Sequence, residues 1–127
     1  MERDLNSCQA FLHRTCSGAA TEDELFGLLT CFQNGFEVSN LRELLRSKNP
    51  DVAKAGSWIL SELGRSGRTL LDECDRLLSH ENKFVRFYAL DSILANASST
   101  EGQLVSKACL ALTDTEKAVQ WKCLNFL

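Results

Sequence analysis

Two histidines and six cysteines carry most of this chain's capacity for catalysis or metal binding, and their spacing assembles neither. His13 and His80 lack a Ser/His/Asp or Cys/His order around them, and a general base needs a positioned partner and a pocket. His80 falls in a polar turn, where a solvated side chain is expected. Cys8, His13 and Cys16 are weighed as metal ligands. Cys16 follows His13 by about one helical turn, but Cys8 points elsewhere and nothing completes the closed tetrahedral set of structural zinc. Asp72-Glu73-Cys74-Asp75 gathers three acids without the tight glycine turn of a calcium loop, so the acids are expected on a solvated helix face flanking Cys74. Gly64 and Gly67 lack the Lys-Ser/Thr and preceding strand of a phosphate loop and read as helix punctuation. No enzymatic activity, cofactor or metal is therefore expected.

Charge weighs against a nucleic-acid binder. The net charge is −3 with a pI near 5.4, whereas phosphate affinity needs local positive excess. Arg42, Arg46, Lys48, Lys54, Arg65, Arg68, Arg76, Lys83 and Arg86 form the densest basic stretch, but seven acids are interleaved with these nine bases. A mixed solvated surface is the expectation. Residues 1–41 are the acidic end, with two basic residues against six acidic ones. No apolar run approaches the ~20 residues of a membrane span. Met1-Glu2-Arg3-Asp4 has no apolar leader character, which predicts a cytoplasmic protein. In that reducing setting the cysteines are expected as free thiols, with Cys31, Cys74, Cys109 and Cys123 packed as small hydrophobes.

The elements that must position these residues are helical throughout. At 127 residues the chain suits one domain. It holds one proline, Pro50, and no run of alternating β-branched residues. Leu5, Cys8, Phe11 and Leu12 share a face of a first helix near 3–16. Thr21 and Glu24 form a capping box opening a helix to about 34, with Leu25, Leu28, Leu29 and Phe32 buried and Asn34-Gly35 closing it. Asn40 with Glu43 offers another capping box ahead of Leu41, Leu44 and Leu45. Asn49-Pro50-Asp51 then starts a helix whose core face is Val52, Ala55, Gly56, Ile59, Leu60 and Leu63.

That last pattern recurs. Val52, Val85 and Val119 are separated by 33 and 34 residues, and Leu45, Leu78 and Leu112 keep the same offsets, as do Leu60, Ile93 and Leu127. A period in this range marks stacked helical repeats, each burying its apolar face against its neighbours. In the second unit Leu70, Leu71, Cys74, Leu77 and Leu78 line a first helix, and Val85, Tyr88, Ala89, Ser92 and Ile93 face inward on the next. The third unit carries Leu104, Ala108, Leu112 and Asp114, then Val119, Cys123, Phe126 and Leu127. The expected fold is all-α: seven or eight helices in antiparallel hairpins, forming a short right-handed solenoid.

The runs Leu44-Leu45-Arg46-Ser47-Lys48-Asn49-Pro50-Asp51-Val52 and Leu77-Leu78-Ser79-His80-Glu81-Asn82-Lys83-Phe84-Val85-Arg86 resemble HEAT repeats. That family shows two leucines, a polar turn, Val-Arg, and a small residue four positions after the Val; here that residue is Gly56, Ala89 or Cys123. The Arg is present only as Arg86, with Ala53 and Gln120 at the equivalent positions. The resemblance covers residues 41–127 and implies helical hairpins, with 1–40 as a degenerate capping unit.

The candidate binding surface lies off the core stripe of the second helices. Lys54 with Trp58, Phe87 with Asp91, and Trp121 with Asn125 occupy equivalent positions, each pair spaced i, i+4 on one side of its helix. Large aromatics interleaved with Lys, Asp and Asn match the make-up of an anchored protein interface. The expected function is therefore non-enzymatic protein binding. The acidic, small, repeat-like character also resembles immunity proteins, which neutralise a cognate bacterial toxin, often a basic nuclease. A HEAT-like scaffold or adaptor is the alternative expectation, and a nucleic-acid binder resembling alkylation-repair helical repeats is the third.

Overall fold

The computed structural model describes residues 5–96, and these are all-helical, with no strand among them. The elements are α1 (Leu5–Cys16), α2 (Glu22–Gln33), a 3-10 turn (Val38–Asn40), α3 (Leu41–Leu45), α4 (Pro50–Leu63), a 3-10 segment (Gly64–Leu70), α5 (Leu71–Leu77) and α6 (Lys83–Asn96). The expected total of seven or eight helices, the third unit and the pair Trp121 and Asn125 reach beyond the described residues.

Local chemistry sets the helix ends. At α2 the Thr21 hydroxyl accepts from the Glu24 N–H, and the Glu24 carboxylate accepts from the Thr21 N–H, completing the predicted capping box. Gly35, at φ 104°, closes α2: its N–H donates to Phe32 and that of Phe36 to Cys31, while the Phe32 and Phe36 rings stand 5.1 Å apart. At α4 the Asn49 side chain accepts from the Asp51 N–H, with Pro50 in the first turn, where no donor is needed. Asn82, 33 residues on, does the same for α6, accepting from Phe84 and Val85.

The Asn40–Glu43 box does not form. Asn40 closes the preceding 3-10 turn, its side-chain amide donating to the Glu37 carbonyl, and its own backbone is helical. A cap needs extended backbone at that position. Glu43 instead accepts from the Cys16 thiol. The Gly64–Gly67 break is likewise more ordered than expected: it opens the 3-10 segment that runs to Leu70 and precedes α5.

Packing follows the apolar stripes. α1 lies on α2, α2 on α4, α3 on α4, α4 on α6 and α5 on α6. Leu28, Leu41, Leu44, Leu45, Ile59, Leu60, Leu70, Leu77, Val85, Leu90 and Ile93 are fully buried between them. Ser92 is buried as expected, whereas Leu5 is 64% exposed and takes no part in the core. Gly56 permits the closest approach, since a Cβ there would stand 2.7 Å from that of Leu44.

Two sequence-based expectations fail in the packing. Cys8 and Cys31 are not free thiols: they form a disulfide between α1 and α2, with Cα atoms 5.9 Å apart. Cys16 and Cys74 are free. The acids at 72–75 do not all lie on a solvated face, because Glu73 is only 4% exposed. Three arginines supply the reason: Arg42 in α3 and Arg46 immediately after it reach its carboxylate at 2.5 and 2.6 Å, and Arg76 at 3.1 Å. Arg42 also bonds Asp72 at 2.9 Å, and Arg76 donates to the Leu45 carbonyl. These bonds, led by those of Arg46, hold the Glu73 carboxyl down at about 2 against the opposing effect of burial. No helix of the described residues is long and apolar enough to cross a membrane.

Candidate functional site

The predicted site residues that fall within the described part separate into two groups. Lys54 and Trp58 line an open groove of about 420 Å³ across α2, α4 and α6. Phe87 and Asp91 do not line it. Phe87 packs its ring on Tyr88 at 5.8 Å between centroids. Trp121 and Asn125 lie outside the described residues.

The floor is built by three helices. α2 supplies Leu25 and Phe26, α4 supplies Ala55 and Trp58, and α6 supplies Tyr88. Phe26 meets Trp58 edge to face, centroids 5.3 Å apart, which fixes the indole while leaving it half-buried. Phe26 is 52% exposed, and with Leu5 and Phe84 it makes up the large exposed apolar side chains among the described residues. Phe84 belongs to the same neighbourhood: the Lys54 ammonium sits 4.3 Å above its ring centre. Aromatic surface thus concentrates on this face of the molecule.

Charge is placed at the groove's other end. Glu22 opens α2 and Asp51 lies in the first turn of α4, and both border the groove. A smaller concavity of about 230 Å³ shares Glu22, Leu25, Asp51 and Ala55 and continues past Thr15, Gly18 and Ala20. The two carboxylates therefore stand where the hollows meet. Both are exposed, and among the described residues neither side chain is engaged in an ion pair or hydrogen bond.

Several other chemistry-bearing residues of the described part are committed to structure. Cys8 is bonded to Cys31, which removes it from the set with His13 and Cys16. Cys16 donates to Glu43, and its thiol is pushed up to about 12, first by burial and then by that carboxylate. Burial, seconded by the charge of Asp72, pushes Cys74 up to about 12 as well, so neither thiol carries appreciable thiolate near neutrality. His80 is not simply solvated: its Nδ1 accepts from the Asn82 N–H. Arg86, the one arginine of the repeat pattern, donates to the carbonyls of His80 and Glu81 and clamps the same turn.

Sequence reasoning missed Tyr88, Phe26, Glu22 and Asp51 as groove residues, and Phe84 as the ring beneath Lys54. The register offered a signal. In helices lying side by side, the face one presents to the next differs from the face it presents to the one before. Lys54 therefore meets Phe84 rather than Phe87, which sits 33 positions after it, and Ala55 shares the groove with Tyr88, its own equivalent. Neither a protein-family model, nor a curated protein, nor a solved structure matches the chain.

Proposed function

We propose that the protein is a non-enzymatic protein-binding domain that seats a partner's side chains in the groove across α2, α4 and α6. The observation that carries this is the fixed, half-buried Trp58 on an apolar floor beside the exposed Phe26. Binding hot spots are anchored by aromatic side chains held in place before the partner arrives. Catalysis fits the groove poorly. Acid–base carboxylates are tuned by burial and by neighbours, while Glu22 and Asp51 are both exposed.

Within that reading, the helices are units of a HEAT-like stack, and the recurrence of the asparagine caps at Asn49 and Asn82 supports it. The net charge of −3 and the acids at the groove favour a basic partner. An inhibitor of a basic toxin, nuclease toxins included, is the most specific form of this proposal, and a scaffold or adaptor role is the broader one. A cytoplasmic home requires the Cys8–Cys31 bond to persist under reducing conditions, where disulfides are rare, although the burial of both residues slows attack on it by other thiols.

The test is capture of partners from the source cells with wild-type protein and with Ala55→Arg, which fills the groove from a half-buried position. A stoichiometric partner retained by the wild type and lost from the variant is the expected result. A partner held equally by both sinks the groove as the binding site. A captured nuclease whose cleavage is blocked on binding establishes the inhibitor form.

A further inference from the structure

We infer that the groove recognises a two-part element in its partner: a large apolar side chain and, beside it in the same segment, an arginine or lysine. The inference rests on the protein-binding reading and adds the chemistry of what is bound.

The two halves of the groove make unlike demands. The end formed by Phe26, Trp58 and Tyr88 is apolar and offers ring faces and edges to an aliphatic or aromatic side chain. The Lys54 ammonium is already turned over Phe84. The positive charge nearest the floor is thereby directed to a ring of the protein itself. Glu22 and Asp51 border the join between the larger and smaller hollows. Their places in the first turns of α2 and α4 explain why acids are tolerated there, because the helix dipoles favour negative charge. That local preference does not require the two helix starts to face one hollow. Two carboxylates without cationic partners among the described residues, bordering an apolar floor, complement a cation on a ligand whose apolar part occupies that floor. A guanidinium fits best, since its planar fork can serve two carboxylates while its methylene stem lies along Leu25 and Ala55. The smaller hollow, continuing to Gly18, leaves space for the chain on the far side of that base.

A phage-displayed library of random dodecapeptides panned on the full chain tests the pairing. The expected winners carry Leu, Phe or Trp within four residues of Arg or Lys. A synthetic winner and its Arg→citrulline form, titrated calorimetrically, should differ in affinity by about fivefold to tenfold. Glu22→Gln/Asp51→Asn should erase that difference while keeping the apolar contribution. Ala55→Arg and Trp58→Ala should abolish binding by every winner. If Trp58→Ala melts early, Ala55→Arg carries that readout, since it alters no buried side chain. Winners lost in Ala55→Arg but showing no basic preference, or a citrulline effect unchanged in the double variant, overturn the pairing and leave the groove as a binding site. No winners, or winners indifferent to Ala55→Arg, overturn the groove as a binding site and the pairing with it.

Discussion

Glu73 shows what a single side chain can do when three others converge on it. A carboxylate this buried would favour its neutral form if left alone. Instead Arg46, Arg76 and Arg42 keep it charged with a pKa of about 2. The folded-state value lies below the unfolded one, so the stabilisation is complete above the unfolded pKa and drains away as pH falls through the folded one. The window runs from about pH 5 to pH 2, and about 3 kcal/mol is at stake. Glu73→Gln should be less stable at pH 7 by an amount of that order and should converge on the wild type as pH approaches 2. Urea unfolding of both proteins across this range checks it; parallel acid curves would refute the role of Glu73. Nothing in the run Asp72-Glu73-Cys74-Asp75 distinguishes the buried acid from its neighbours. Its first two partners lie 31 and 27 residues earlier, and only the docking of α3 near α5 joins them.

At the scale of elements, close approach outweighs intrinsic preference. Gly56 lies inside α4, where alanine would ordinarily gain up to about 1 kcal/mol. The added Cβ would stand 2.7 Å from the Leu44 Cβ and 3.3 Å from its carbonyl carbon. Neither atom is the free end of a side chain, so α3 itself must shift. Gly56→Ala should therefore lose about 1–3 kcal/mol, read as a lower midpoint in thermal unfolding; a rise would show that α3 yields freely. The same scale explains what the sequence revealed. Periodicity locates α2, α4 and α6 well because their buried residues recur locally, and Thr21, Asn49 and Asn82 act within three residues of themselves. Asn40 misleads because its capping role depends on its own backbone, which the preceding 3-10 turn has already made helical. Two of the eight residues lining the groove were visible as site residues, namely Lys54 and Trp58. The rest depends on which face each helix turns toward its neighbour, and residue spacing within one helix leaves that open.

At the scale of the whole molecule, a covalent tie joins the two amino-terminal helices. Cys8–Cys31 spans 23 residues and joins α1 to α2, the helix that contributes Leu25 and Phe26 to the groove. Closing a loop of this length stabilises by about 3 kcal/mol. Cys8→Ala/Cys31→Ala should thus melt about 10 °C lower, and calorimetry against the oxidised wild type measures it. Equal midpoints would mean that α1 is held by packing alone. The pairing was hidden in the sequence because six cysteines permit many partners, and only the approach of two helices selects one.

Trp58 gives the molecule an optical property as well. Its indole is half-buried against Phe26 and open to the groove, so its excited state is relaxed by whatever fills that space. With Trp121 replaced by Phe, Trp58 is the single tryptophan that remains. Water leaving the groove moves its emission to shorter wavelength, and water returning moves it back. The chain thus carries its own unlabelled gauge of occupancy, placed where a partner's anchor would rest.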